Sequence, residues 1–275
     1  MTRRRKLDRA SVPSIVIVVL TMLLFLVPLS FVVLTSLKTY PAFLKNPLSL
    51  HFTPTFNNFV QAWQKANISV NILNSLFYTA CVVAVSLLFS LLLAFPVARK
   101  YIPRSGAFLL LFTIGMFLPD GSIPQFQLLL HLGLYNTRLG YILALLMVGG
   151  VPFLFLVAYI QGIPRELDEA AVVDGCGYFR YVFTVVLPLC RPALVSLGIL
   201  IAINAWNEVP KSIILLSSKS LYPIQRGLMT FSGQYSTNWT QLMAALMIVA
   251  LPLIVMYIFL QKHIINGMTA GSVKM

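Results

Sequence analysis

The sequence predicts an all-α polytopic membrane protein. Three numbers carry that reading: 59% of the 275 residues are apolar, only 10% are charged, and the mean hydropathy is +0.87. A soluble domain is about half apolar and about a quarter charged. A charged shell this thin leaves too much apolar surface for water. No alternation of polar and apolar residues persists over ten positions, so membrane strands give way to helices.

A helix needs roughly 20 apolar residues to cross the hydrocarbon core. Six such stretches occur, at about 13–36, 71–98, 106–130, 139–160, 193–216 and 241–260. The first lacks a small-residue cleavage site and is too long for the core of a cleavable signal, so it reads as a span. At the start of the second stand Asn71 and Asn74, residues suited to bonding backbone at a helix start. The third holds Pro119, Gly121 and Pro124, which break a helix, together with Asp120, Gln125 and Gln127. A broken helix at depth faces a cavity or a protein contact. Those three polar side chains therefore line a pathway or its gate, satisfy backbone freed by the prolines, or contact a partner subunit. The fifth holds Asn204, Trp206, Asn207 and Glu208. Asp120 and Glu208 are the acids within the spans, where an acid is costly.

Between the spans, residues 38–70 read as an irregular segment with a short helix around 59–65, and 217–240 as a second long loop. No repeat of fixed period is present, so 1–275 reads as a single transmembrane domain. Arg3, Arg4, Arg5, Lys6, Arg9, Arg99, Lys100, Arg104, Arg165, Arg180, Arg191, Lys262 and Lys274 fall on one side of the six spans. The other side has only Lys38, Lys45, Lys65, Arg138, Lys211, Lys219 and Arg226. The excess places both termini in the cytoplasm and accounts for much of the +13 charge without nucleic acid.

The cytoplasmic loop 162–191 is the most informative segment. Pro164 suits a first helical turn, and Glu166, Asp168 and Glu169 put negative charge at its positive end. Leu167, Ala170, Ala171 and Asp174 share one face by spacing, and Gly175 and Gly177 end the helix. A second helix places Phe179, Val182, Phe183 and Val186 on one side and stops before Pro188. A pair of helices lying in headgroups is expected to be basic. Four carboxylates here point to a soluble docking partner instead.

Glu169-Ala170-Ala171, Asp174-Gly175, Leu187-Pro188 and Pro192 resemble the EAA loop of binding-protein-dependent ABC importer permeases, E-A-A-x-x-D-G-A followed by L-P and x-x-x-P. Cys176 departs from the usual alanine, and Val182 stands where an aromatic is common, with Phe183 next to it. Trp206-Asn207-Glu208 is similar to the W-N-D/E of sugar permeases. The tail Gly267-Met268-Thr269-Ala270-Gly271-Ser272-Val273-Lys274 is similar to the G-L-T-A-G-A-V-K ending of the maltose-type second permease subunit.

The resemblance implies a type I importer permease fold of six transmembrane helices with a cytoplasmic coupling-helix (EAA) loop, in the cell membrane of a prokaryote. Its partners would be a second permease, two ATPase subunits carrying ATP and Mg, an extracytoplasmic solute-binding protein and a sugar. By position Glu169 would pair with a basic ATPase residue, Ala170 and Ala171 would allow close packing, and Gly175 would form the turn. Asp174, Phe179, Phe183, Leu187 and Pro188 complete the coupling set. In a sugar permease, an aromatic beside amides at Asn204, Trp206 and Asn207 suits a sugar's C–H face and hydroxyls, though the same residues also hold helices together. The loop from Tyr222 to Trp239 suits contact with the binding protein or anchoring at the interface.

No cofactor is expected in this chain. It has no G-x-x-x-x-G-K-[ST] phosphate cradle, so the energy must come from a partner. His51, His131 and His263 make no metal spacing, and no G-x-S-x-G supports an intramembrane hydrolase. Cys81, Cys176 and Cys190 read as structural thiols. Two rivals remain: an importer of glycerol-phosphate or a polyol, and an ion-coupled secondary transporter using Asp120 or Glu208.

Overall fold

The computed structural model describes residues 11–119, 121–231 and 237–270. Every regular element among them is helical. In chain order these are α1 Ser11–Ser36, α2 Tyr40–Lys45, α3 Asn57–Lys65, α4 Ile68–Ala98, α5 Ser105–Gly115, α6 Ser122–His131, α7 Arg138–Leu145 and α8 Val151–Gln161. There follow α9 Glu166–Val173, α10 Tyr178–Leu189, α11 Arg191–Asn207, α12 Pro210–Leu215, α13 Ile224–Gly227 and α14 Trp239–Ala270, with short 3-10 turns at Lys219–Leu221 and Leu228–Phe231. Asp120 and the end of the tail, Gly271–Lys274, lie outside the described residues, as do the basic residues before α1.

Two described helices are long and apolar enough to cross a bilayer, 13–36 and α4, and α10 with α11 makes a third candidate bent by 80°. Three of the expected stretches are broken. The third separates into α5 and α6 around Pro119 and Gly121. The fourth separates into α7 and α8 at 146–150, and the fifth into α11 and α12 before Pro210. The chain leaves the helix at Glu208, extended at ψ 103°, while Val209 directly before the proline keeps helical torsions at φ −97° and ψ −51°. At 146–150 the chain leaves α7 at Leu146, extended at ψ 133°, and enters α8 through Gly150 at φ +65°. A Cβ on Gly149 would stand 2.6 Å from the Phe112 ring, so only glycine admits that approach.

The chain gathers into two compact units, residues up to 68 with 228–251, and 69–227 with 252 onward. In the first, residues 13–30 of α1 are exposed throughout, as befits a helix meeting lipid. Below them the chain is tied down by Asn58. Its Nδ2 donates to the Ser36 and Lys38 carbonyls at 2.8 and 2.7 Å, and its Oδ1 accepts from Thr240 Oγ1. Lys38 is buried, donates to the Pro47 carbonyl and lies over the Phe52 ring.

In the second unit α4 is a spine whose polar residues each fasten another segment. Near its start, Asn74 Nδ2 donates to the Ser220 and Tyr222 carbonyls, its Oδ1 accepts from Arg138, and Ser75 Oγ accepts from the Ile224 N–H. The expected capping of its own helix by Asn74 is therefore replaced by fastening of the 217–227 segment. Midway, Ser86 Oγ accepts from the Met147 N–H and Ser90 Oγ donates to the Val148 carbonyl, at 2.9 and 2.7 Å. Two buried serines one turn apart thus satisfy backbone that the α7–α8 break releases. Around the far end, Leu91, Phe95 and Ala98 pack with Phe153, Leu156 and Ile160 of α8, Val182 and Val186 of α10, and Leu197 of α11.

Candidate functional site

The loop between α8 and α11 forms the two short helices that its sequence predicts. Arg165 starts α9, its carbonyl accepting from the Asp168 and Glu169 N–H groups. Gly175 sits at φ +70°, the left-handed region where a side chain is strained, and turns the chain toward α10.

The inward residues are not those the spacing picks out. In α9 the inward side chain is Asp168, 6% exposed, with Ala171 half-buried beside it, whereas Leu167, Ala170 and Asp174 face outward. In α10 Val182 and Val186 are buried as expected, but their companion is Tyr181, and Phe179 and Phe183 are exposed. Residues 182–186 form a π turn in which the Leu187 N–H bonds to the Val182 carbonyl, five residues back. That wider turn eases the clash between a proline ring and the carbonyl four residues before it, so the helix continues through Pro188 to Leu189 instead of stopping.

Asp168 is the centre of a buried polar cluster. Arg99, just beyond the end of α4 and 4% exposed, brings Nε to 2.7 Å from Asp168 Oδ2 and Nη2 to 3.2 Å from Oδ1. The same guanidinium donates to the Ile163 carbonyl at 2.9 Å and the Pro164 carbonyl at 3.4 Å. Tyr101 donates to Oδ2 at 3.1 Å and Tyr181 donates to Oδ1. The carboxylate is thereby bound to the end of α4 and to α10, and the guanidinium it holds is bound in turn to the entry of the loop. Burial, and then the hydrogen bond to the carboxylate, push the Tyr181 hydroxyl pKa above its ordinary value near 10. Burial followed by the Asp168 charge does the same to Tyr101. Both hydroxyls therefore keep their protons as donors. The rings of Tyr101, Tyr178 and Tyr181 surround Phe95 at 5.7–5.8 Å between centroids.

The loop's other side faces out. Glu166, Glu169 and Asp174 are exposed, and between them stand Val172, Val173 at 87% exposed and Phe179 at 66%. An apolar patch edged by acids at the end of a helical bundle is suited to a protein partner with a basic, apolar cleft.

The expected pathway residues divide. Gln125 Nε2 donates to the Ala144 carbonyl, which also accepts from Lys211 Nζ, so Gln125 satisfies backbone at the α7–α8 break. Glu208 Oε1 accepts from the Lys211 N–H, and its carbonyl accepts from Tyr141. Gln125, Glu208 and Lys211 therefore gather where α6, α7, α11 and α12 meet. Gln127 and Asn207 are exposed. Asn204 is exposed and donates to its own helix, to the Leu200 carbonyl. Trp206 is buried, and its Nε1 has no protein partner among the described residues. Among those residues no three His, Cys, Asp or Glu side chains come together as metal ligands.

Residues 1–270 match the family described as "Binding-protein-dependent transport system inner membrane component". The chain belongs to that family. A probable ABC transporter permease protein of Bacillus subtilis, YurM, is 35% identical over 251 residues, covering 90% of this chain and 83% of the relative. An arabinooligosaccharides transport system permease protein of Halalkalibacterium halodurans, AraQ, is 31% identical over 253 residues, covering 90% of each. The fold is that of a solved bacterial ABC transporter involved in import of the acidic polysaccharide alginate. That match has a TM-score of 0.82 at 22% identity, over 95% of this chain and 99% of that one.

The permease also carries a groove of about 1020 Å³, walled by Leu76, Thr79 and Val83 of α4 and by Gly198, Ala202 and Trp206 of α11 among others. Thr79 Oγ1 and Trp206 Nε1 are both buried there without protein partners among the described residues. Sequence reasoning singled out Trp206 but missed Ser86, Ser90, Arg99, Tyr101 and Tyr181. Arg99 reads in sequence as an orientation signal and Asp168 as a helix-dipole charge.

Proposed function

We propose that this permease carries a sugar or oligosaccharide across the cell membrane, paired with a second permease and driven by two ATPase subunits that hold ATP and Mg. An extracytoplasmic binding protein delivers the substrate. The chain crosses six times, three crossings being made by broken helices, with both termini cytoplasmic. The single observation that carries this reading is the two-sided loop of α9 and α10. Its inner side is bound into the permease by Asp168, and its outer side offers Glu169, Ala170, Val173 and Phe179 to an ATPase cleft. Gly175 sets the angle between the two helices, and Asp174, Phe183, Leu187 and Pro188 complete the surface and its return into α11. Sugar as the substrate class is supported by the arabinooligosaccharide relative.

Transport is gated by differential binding to two conformations. The complete complex, rebuilt in liposomes, tests this with arabinooligosaccharides, maltooligosaccharides, melibiose and glycerol 3-phosphate as probes. Glu169→Lys places like charge against a basic partner and is expected to cost about 3–5 kcal/mol of docking. Uptake should then fall to background while the two permeases still copurify. Uptake by Glu169→Lys that continues without ATP would overturn the importer reading. Uptake of glycerol 3-phosphate alone would keep the importer and replace the sugar.

A further inference from the structure

We propose that Arg99, Tyr101, Asp168 and Tyr181 form a latch that makes α4 move with the coupling loop, so that both walls of the groove are driven at once. The groove has two principal walls. α11 is joined to the loop by the chain itself, through Cys190. α4 lies some 70 residues earlier, and a push on the loop reaches it only through side chains. The polar part of that connection is Arg99 to Asp168, Ile163 and Pro164, with Tyr101 and Tyr181 closing on the same carboxylate. Tyr178 adds a hydrogen bond to the Leu92 carbonyl of α4.

The chemistry suits a rigid joint. A guanidinium presents a planar fork of donors and fixes direction as well as distance. Here the fork is buried and spread over two backbone carbonyls and a carboxylate, while the carboxylate holds two further hydroxyls. Apolar packing alone permits sliding, as the aromatic cluster around Phe95 would. A charge-centred network has one arrangement, because leaving it strands a buried charge. The four residues are positioning residues: they touch neither substrate nor ATP, and they act by holding α4 to α9 and α10. The inference rests on the importer reading.

The test uses the assembled transporter with spin labels at Phe89 of α4 and Thr184 of α10, both exposed. It compares the resting state with the state trapped by MgATP and vanadate. In the parent the Phe89–Thr184 distance should stay fixed between the two states, since latch and loop travel together. Tyr181→Phe removes one hydroxyl and keeps the ring on Phe95, and Arg99→Lys keeps the charge and loses the fork. Each should shift the balance toward the unlatched form by about tenfold. The distance should then change on trapping, and ATP should be hydrolysed at the parent's rate with uptake per ATP reduced about tenfold. An unchanged distance and unchanged uptake per ATP in both variants would overturn the latch. So would parallel losses of assembly, hydrolysis and uptake, the mark of a purely structural role. If Arg99→Lys fails to assemble, Tyr181→Phe decides. A parent complex that binds no ATPase subunits would instead overturn the importer reading itself.

Discussion

The two ends of α4 are fastened by different chemistry. At its start Asn74 and Ser75 hold the 217–227 segment through neutral groups, mostly to backbone. At its finish Arg99 holds the 162–191 loop through a buried charge pair. Neutral hydrogen bonds to backbone contribute about 1 kcal/mol each, and losing one leaves the others in place. A buried ion pair contributes little net stability, yet removing one partner costs several kcal/mol because the other charge remains. The first end tolerates give; the second is all-or-none. A segment that only closes the bundle suits the first kind of fastening, and a segment that transmits force suits the second.

The sharpest way to break this comparison is to delete one side chain at each end. Arg99→Ala should lower stability by about 3–5 kcal/mol, and Asn74→Ala by about 1–3 kcal/mol, read by denaturation of the permease in detergent. Equal losses at the two ends would remove the distinction. Midway along α4, Ser86→Ala and Ser90→Ala should each cost about 1 kcal/mol. Their double variant should depart from the sum, because both serve the same break at 146–150. Strict additivity would mean that the break does not depend on them. The smallest effect concerns thiols. Cys190 is fully buried and burial pushes its pKa up to about 12, so a maleimide at pH 8 should leave it unmodified while labelling the part-exposed Cys176. Reaction at Cys190 would show that the loop's inner side opens.

The long apolar runs made the helices legible, and Pro119 with Pro124 made the first break legible too. The break at 146–150 was hidden, since Leu146, Met147 and Val148 look like any buried helix and the serines that satisfy them lie some sixty residues earlier. The two helices of the loop and the Gly175 turn could be read from capping and glycine signals. Their inward faces could not. Tyr181 is held inward by Asp168 and the Phe95 ring, contacts from distant parts of the chain, and the stripe through Phe179 and Phe183 is left exposed. Asp168 and Glu169 are chemically alike neighbours, and sequence gives no means of telling which one turns toward an arginine placed seventy residues before.

The 80° bend at Cys190 has a mechanical consequence. Because α10 lies nearly crosswise to α11, it is an arm of about 18 Å attached to an axle. A sideways shift of about 3 Å at Tyr178 turns α11 by roughly 10° about its own axis, on that arm length. The same shift applied to a straight continuation would only slide the helix. The loop is a crank: it converts a small translation at one edge of the molecule into rotation of the wall that carries Trp206.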